Sequence, residues 1–417
     1  MGFQLAVFLP SKPTEDPLAV LSSLLGKQRD APQLIRKPPA KLAEPVLMAT
    51  VERDMRRYAP PDMESLRYFG RGLSREQGLA LQKSEQVLIL NFGHSKRYVW
   101  SALRTASDIV EGIARKTGGL IWDEETREIF TPDAWRKNRI DSWTGVIPDV
   151  TAHTTIHAYN TGTYVRAITL GMAKFGLPDV VVTEFSWSLN RNVGHLINTL
   201  VQALAEGAAL SPSGEYELDF RAIKNKALRE KYMGSLLANA SARARLTFRA
   251  GVPDQGDPDN RLLEITFDRY PGNDVHARQS AMMDALFGWH DEVKHIRHDA
   301  ELESASRKAR TRLPALRAAF NKGLVPGEYV QVKAPFSTRR GSTEWMWVEV
   351  TEWKGGNIRG MLKNEPFDIP DLHGGQEVQV KEGEVFDYLR HFADGREEGN
   401  ETGKIIEKMQ GRVETKN

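Results

Sequence analysis

Histidine has the widest chemical reach of any residue type in this chain, and it gathers in two places. His290, His295 and His298 stand in the segment HDEVKHIRH. On a helix, His295 and His298 lie one turn apart with Asp291 four residues before His295. That donor set suits zinc or iron, and through it a metal-dependent hydrolase. His290 falls off that face, and neither HExxH nor HxxEH is present, so surface histidines on a charged helix explain the same letters. The second place is residues 150–159, where apolar and polar residues alternate. The alternation predicts a strand carrying His153, His157 and Tyr159 on its polar face. Such a patch could hold a ligand or a general base. A half-exposed sheet face reads the same, and no serine elbow or paired carboxylate points towards it. The chain has no cysteine, which excludes disulfides, thiol catalysis and thiolate metal sites. No convergent catalytic set emerges, and no cofactor is expected.

Aromatic residues are densest at Trp345, Trp347 and Trp353. The three share parity, so a regular strand would turn them to one side and a bulge would separate them. One side of a small barrel is its core; the other reading is a recognition surface, since tryptophan is enriched at binding hot spots. Asn364 and Glu365 follow as a turn that would rim such a surface. Three further signals have plain structural explanations. The loop GVPDQGDPDN has calcium-loop letters without EF-hand spacing, and a solvated hairpin loop explains it. His94-Ser95 follows a strand and precedes a helix, where Ser95 reads as a cap. Arg307, Lys308, Arg310 and Arg312 could touch phosphates, yet Glu301 and Glu303 balance them and no aromatic residues interleave.

The elements that must hold these residues are legible from periodicity. Residues 3–9, 46–51 and 86–92 predict strands. Val99, Leu103, Ala106, Val110 and Ile113 predict a long helix closed by Gly118-Gly119. Ser74 with Gln77 is a capping-box signature opening a short helix. Residues 120–122 and 128–130 read as a hairpin, and Thr131-Pro132 as a helix start. Strands at 165–170 and 180–185, a helix after Asn190 and a hairpin at 244–250 and 262–268 come next. Helices are expected at 274–289 and 290–312, with Pro314 and Gly323 marking a linker or last helix. Beyond residue 327 the chain reads as β, with strands at 329–333, 344–353, 357–362 and 376–380.

A chain of 417 residues at 46.9 kDa suggests more than one domain. We read an N-terminal α+β domain at 1–145, a middle α+β domain at 146–325, a β-rich domain at 326–395 and a polar tail at 396–417. The fold class is therefore α+β, with a small, partly open barrel at the C-terminus. Residues 326–417 carry 13 basic and 17 acidic residues, whereas the whole chain has 57 basic and 55 acidic, so charge supports a separate C-terminal domain. The N-terminal excess of positive charge is too mild for a dedicated nucleic-acid binder. No apolar run approaches a membrane span. The apolar first residues predict a strand rather than a signal peptide, and a cytoplasmic location is expected.

The segments EWMWVEVTEWKGGNIRGMLKNEPFDI, GQEVQVKEGEVFDYL and DGREEGNETG resemble a YegJ-like bacterial domain of unknown function, family twenty-three-fourteen. Where that family's core carries a histidine after the glutamate, Trp345 stands here. Residues 86–185, through VLILNF, TGGLIWDEETREIFTPDAW and RAITLGMAKFGLPDVVV, resemble uncharacterised bacterial family forty-two-sixty-one. Domains similar to these occur near toxin, immunity and stress genes, which implies partner binding more readily than chemistry. The expectation is a non-enzymatic protein-binding module of immunity or defence type, masking a toxin-like or effector-like partner. A metal-dependent hydrolase and a nucleic-acid-binding protein stand as alternatives.

Overall fold

The structure is a computed structural model; it describes residues 1–405 apart from 29, 162–163, 187–188, 212, 238, 289–299, 340, 342, 365 and 367–368. The fold is α+β. Its contacts divide into two compact units, one running up to the helix Val275–Phe287 and the other built from the helix Ala300–Lys322 onward. Among the described residues, no helix is long and apolar enough to cross a membrane.

The first unit contains two sheets. One has the strand order Gln33–Leu34, Val46–Glu52, Gln86–Gly93, Gly2–Leu9, Leu120–Asp123, Glu128–Phe130, Gly70–Arg71. Gly2–Leu9 lies at its centre, and its run of apolar residues is buried on both faces, as a central strand requires. The helix Val99–Thr117 packs on this sheet together with Pro17–Leu25. It buries Leu103, Ala106, Val110 and Ile113, and it ends at Gly118, whose φ of 75° is left-handed. Ser74 and Gln77 form the expected reciprocal capping box.

The second sheet has the order Glu215–Asp219, Arg243–Ala250, Leu262–Thr266, Asp179–Phe185, Tyr164–Leu170, Thr155–Thr161. Helices Asn190–Ala205 and Val275–Phe287 pack against it. The strand predicted at 150–159 begins only at Thr155. Residues Val150–Ala152 instead form a 3-10 turn, because the Asp149 side chain accepts a hydrogen bond from the Thr151 N–H at 2.9 Å. A local side-chain bond of this kind competes with strand pairing.

The second unit is a six-stranded antiparallel sheet that does not close, ordered Glu377–Lys381, Asn357–Leu362, Thr343–Lys354, Tyr329–Ser337, Asp387–His391, Glu397–Gly399. One face packs against Ala300–Lys322 through Ala309, Leu313 and Leu316. Pro314 does not break that helix, which runs on to Lys322 and stops before Gly323, at φ 99°. Burial of Leu313 and Leu316 on the sheet offsets the loss of one backbone hydrogen bond at the proline.

Candidate functional site

Alternation along Thr343–Lys354 decides which side chains the C-terminal sheet displays. Met346, Val348 and Val350 point into the core. Register then slips between Val350 and Glu352, so that Trp353 comes to pair with Ile358 and is buried. This bulge returns Trp353 to the core face while leaving Trp345 and Trp347 on the other side, half-buried. The slip needs a close approach at Gly360, where a Cβ would collide with the carbonyl of Glu349. At the edge of the core, the Trp353 indole N–H donates to Glu382 at 2.8 Å.

The outer face around Trp347 mixes ring and charge. Lys333, its partner on the neighbouring strand, holds its ammonium 5.8 Å from the Trp347 ring. Burial lowers the Lys333 amine from its ordinary value, and Asp387 opposes that effect. Among the described residues Lys333 makes no ion pair. Asp387 itself is engaged elsewhere, accepting from the Thr402 N–H at 2.8 Å and its hydroxyl at 2.7 Å. Trp345 lies 4.5 Å from Phe386, centroid to centroid. Farther along the same face, Tyr329 and His391 stack at 4.7 Å, and burial pushes the Tyr329 phenol up to about 12. Glu349 pairs with Lys363 at 3.2 Å. The arrangement places flat aromatic area beside a cation.

The predicted recognition residues are therefore split. Trp345 and Trp347 share the outer face; Trp353 is core. Asn364 is brought beside Trp347, since its Oδ1 accepts the Trp347 backbone N–H at 2.6 Å. Glu365 lies outside the described residues, as do His290, His295 and His298. Among the described residues, no group of three or more histidines and carboxylates could hold a metal ion. His153 and His157 do not share a strand face. His153 is enclosed, with its ring edge-on to Trp143 at 5.1 Å. His157 lies on the strand with Tyr159, ring to ring at 5.2 Å. The acidic loop folds back beside them rather than remaining fully solvated. Asp257 pairs with Arg166 at 2.5 Å, and both side chains are buried.

Sequence reasoning missed a buried ionic cluster in the first unit. Asp123 ends one strand, Glu128 begins the next, Arg139 sits on the π-helical turn Arg136–Asp141, and Lys174 lies in the 3-10 turn Met172–Phe175. Lys174 Nζ is 2.6 Å from Asp123 Oδ2, and Arg139 Nη2 reaches Asp123 at 3.2 Å and Glu128 at 2.7 Å. All four side chains are almost fully buried. Burial would raise the Asp123 carboxyl, but the adjacent Lys174 and Arg139 cations overcome it and hold the group below the usual carboxylate range. Burial, reinforced by the same two cations, keeps the His153 imidazole well below its ordinary value. Burial also pushes Glu125 up to about 7. The available signal was a charge at the end of an apolar run, in LIWD and GMAKFG. A buried charge has to find its counter-charge.

Residues 299–416 match a family described as an uncharacterized protein conserved in bacteria (DUF2314). The match falls within the C-terminal unit. No curated protein and no solved structure matches the chain. In the DUF2314 region the family resemblance and the outer tryptophans coincide, because Trp345 and Trp347 both fall within the matched residues.

Proposed function

We propose that this chain is a non-enzymatic protein-binding protein of bacterial immunity or defence type, which masks a toxin-like or effector-like partner with the outer face of its DUF2314 sheet. The observation that carries the proposal is the bulge that buries Trp353 yet leaves Trp347 outward, beside the Lys333 ammonium. A tryptophan with an adjacent cation supplies rigid contact area and a charge to orient a partner. The polar groups of the first unit support a structural role instead, because Asp123, Glu128, Arg139 and Lys174 are engaged with one another. The immunity reading rests on the resemblance of residues 86–185 to family forty-two-sixty-one.

The test is capture of partners from native lysate by the full chain and by Trp347→Ala in parallel. A protein recovered near equal stoichiometry by the parent chain and lost with the variant, while circular dichroism is unchanged, is the expected result. Equal recovery by both would remove the sheet face from the account.

A further inference from the structure

The end of the DUF2314 sheet holds a second feature, on the face opposite Trp347. Arg310, Pro314 and Arg317 recur at helical spacing on Ala300–Lys322, so their side chains share one face of that helix. This face meets the hairpin turn at Gly356 and the 3-10 turn Glu382–Glu384, and the three border an open, shallow cleft of about 380 Å³. That volume lies within the range of small-molecule pockets. Leu313 and Pro314 supply apolar lining.

The charges around the cleft are unevenly matched. Arg317 Nη1 donates to Glu382 at 2.9 Å, and the same carboxylate oxygen takes the Trp353 indole N–H at 2.8 Å. Arg310 donates from Nε to the Val385 carbonyl at 3.0 Å, which leaves both of its terminal amino groups for other acceptors. Among the described residues, no carboxylate pairs with Arg310. The three charged groups of the lining thus sum to a single positive charge.

Gly383 leaves the cleft open to the backbone. Gly356 has a φ of 80°, so its turn requires glycine. Gly383 has no such conformation, and a Cβ there would meet nothing within 4 Å. The backbone at Gly383 is therefore open to close approach by a group in the cleft.

We propose that this cleft binds a carboxylate, with the Arg310 guanidinium as its principal donor, Arg317 at the flank and the Gly383 backbone against it. A planar guanidinium matches a carboxylate through two parallel N–H donors. The lone excess charge of the lining is balanced by a monoanion. The carboxylate can come from a peptide C-terminus or from an acidic side chain. This inference uses a surface other than the one in the proposed function and stands apart from it.

The experiment is calorimetric titration of the full chain with four probes: acetyl-tetra-alanine with a free C-terminus, its C-terminal amide, that amide with one internal aspartate, and inorganic phosphate. One equivalent of a carboxylate-bearing peptide should bind, and the plain amide should not. Whichever carboxylate peptide binds more tightly identifies the source. Arg310→Gln should weaken binding about ten-fold or more, by loss of a charge-assisted contact. Gly383→Ala, which leaves every charge in place, should weaken it as well, and Trp347→Ala should not. Binding by neither carboxylate peptide, unchanged affinity in both cleft variants, or tighter binding of phosphate than of either peptide would overturn the assignment.

Discussion

The two units bury opposite kinds of side chain at their most constrained points. In the first, the turns beside the two sheets are held by Asp123, Glu128, Arg139 and Lys174, charges almost fully removed from water. In the second, helix and sheet meet through Leu313, Leu316, Val332, Val348 and Trp353, and the distinctive aromatic and charged groups lie on the outer face or at the sheet's end. A concentration of ionisable groups does not by itself mark a functional site. Where each charge is matched by a close counter-charge in a closed interior, the set fixes turn geometry. Where a cation stands without an ion pair beside a half-buried ring, as Lys333 does beside Trp347, the arrangement is available to something else.

The comparison breaks first at Arg139. Arg139→Ala strips one of two cationic partners from Glu128, which keeps Arg71, and one of two from Asp123, and should destabilise the first unit by about 3–5 kcal/mol. Hydrogen exchange should show the loss in Leu120–Asp123 and Glu128–Phe130 while Tyr329–Ser337 keeps its protection. A loss below about 1 kcal/mol would mean that the network holds nothing. The counterpart in the second unit is Leu316→Ala, which opens a cavity in an apolar core and should cost about 2–5 kcal/mol. Its effect should be the same at pH 5 and pH 7, since no titratable group is uncovered.

Acidity sharpens the contrast further. The folded chain refuses the His153 proton below 6.5, whereas the unfolded chain accepts it, so this group's contribution to stability is lost as pH falls below about 6.5. Glu125 acts in the opposite direction. Between 4.5 and about 7 the folded chain keeps a proton that the unfolded chain has released, so its contribution falls as pH rises. His153→Gln should therefore flatten the loss of stability between pH 7 and pH 5, and Glu125→Gln should steepen it. Chemical denaturation across that range measures both, and a slope unmoved by either variant would contradict these assignments. The smallest effect on stability belongs to Trp347→Ala. A half-buried ring on the outer face should change unfolding by less than about 1 kcal/mol.

Much of the fold was legible because its signals are local. The capping box at Ser74, the Gly118 cap and the stripe from Val99 to Ile113 depend on neighbours within a few residues, and all three appear in the structure. The strand misplaced at residue 150 shows where that reasoning stops. Alternation is a sheet signal, but the Asp149 side chain can redirect the backbone for one turn, and His153 went with it into the interior. Trp345, Trp347 and Trp353 have one parity in sequence and two faces in space, because a single extra residue near Thr351 reverses it. The ionic network was illegible for a different reason. Its members span residues 123 to 174 and meet only once separate turns are packed, so no spacing rule connects them.

The central claim is that Trp347 on the outer face of the DUF2314 sheet carries partner binding. Its most direct measurement is the affinity of the captured partner for the full chain and for Trp347→Ala, determined in the same buffer by surface-immobilised binding. The account predicts at least about a ten-fold loss with unfolding free energy retained. Equal affinities would contradict it and move recognition off this face.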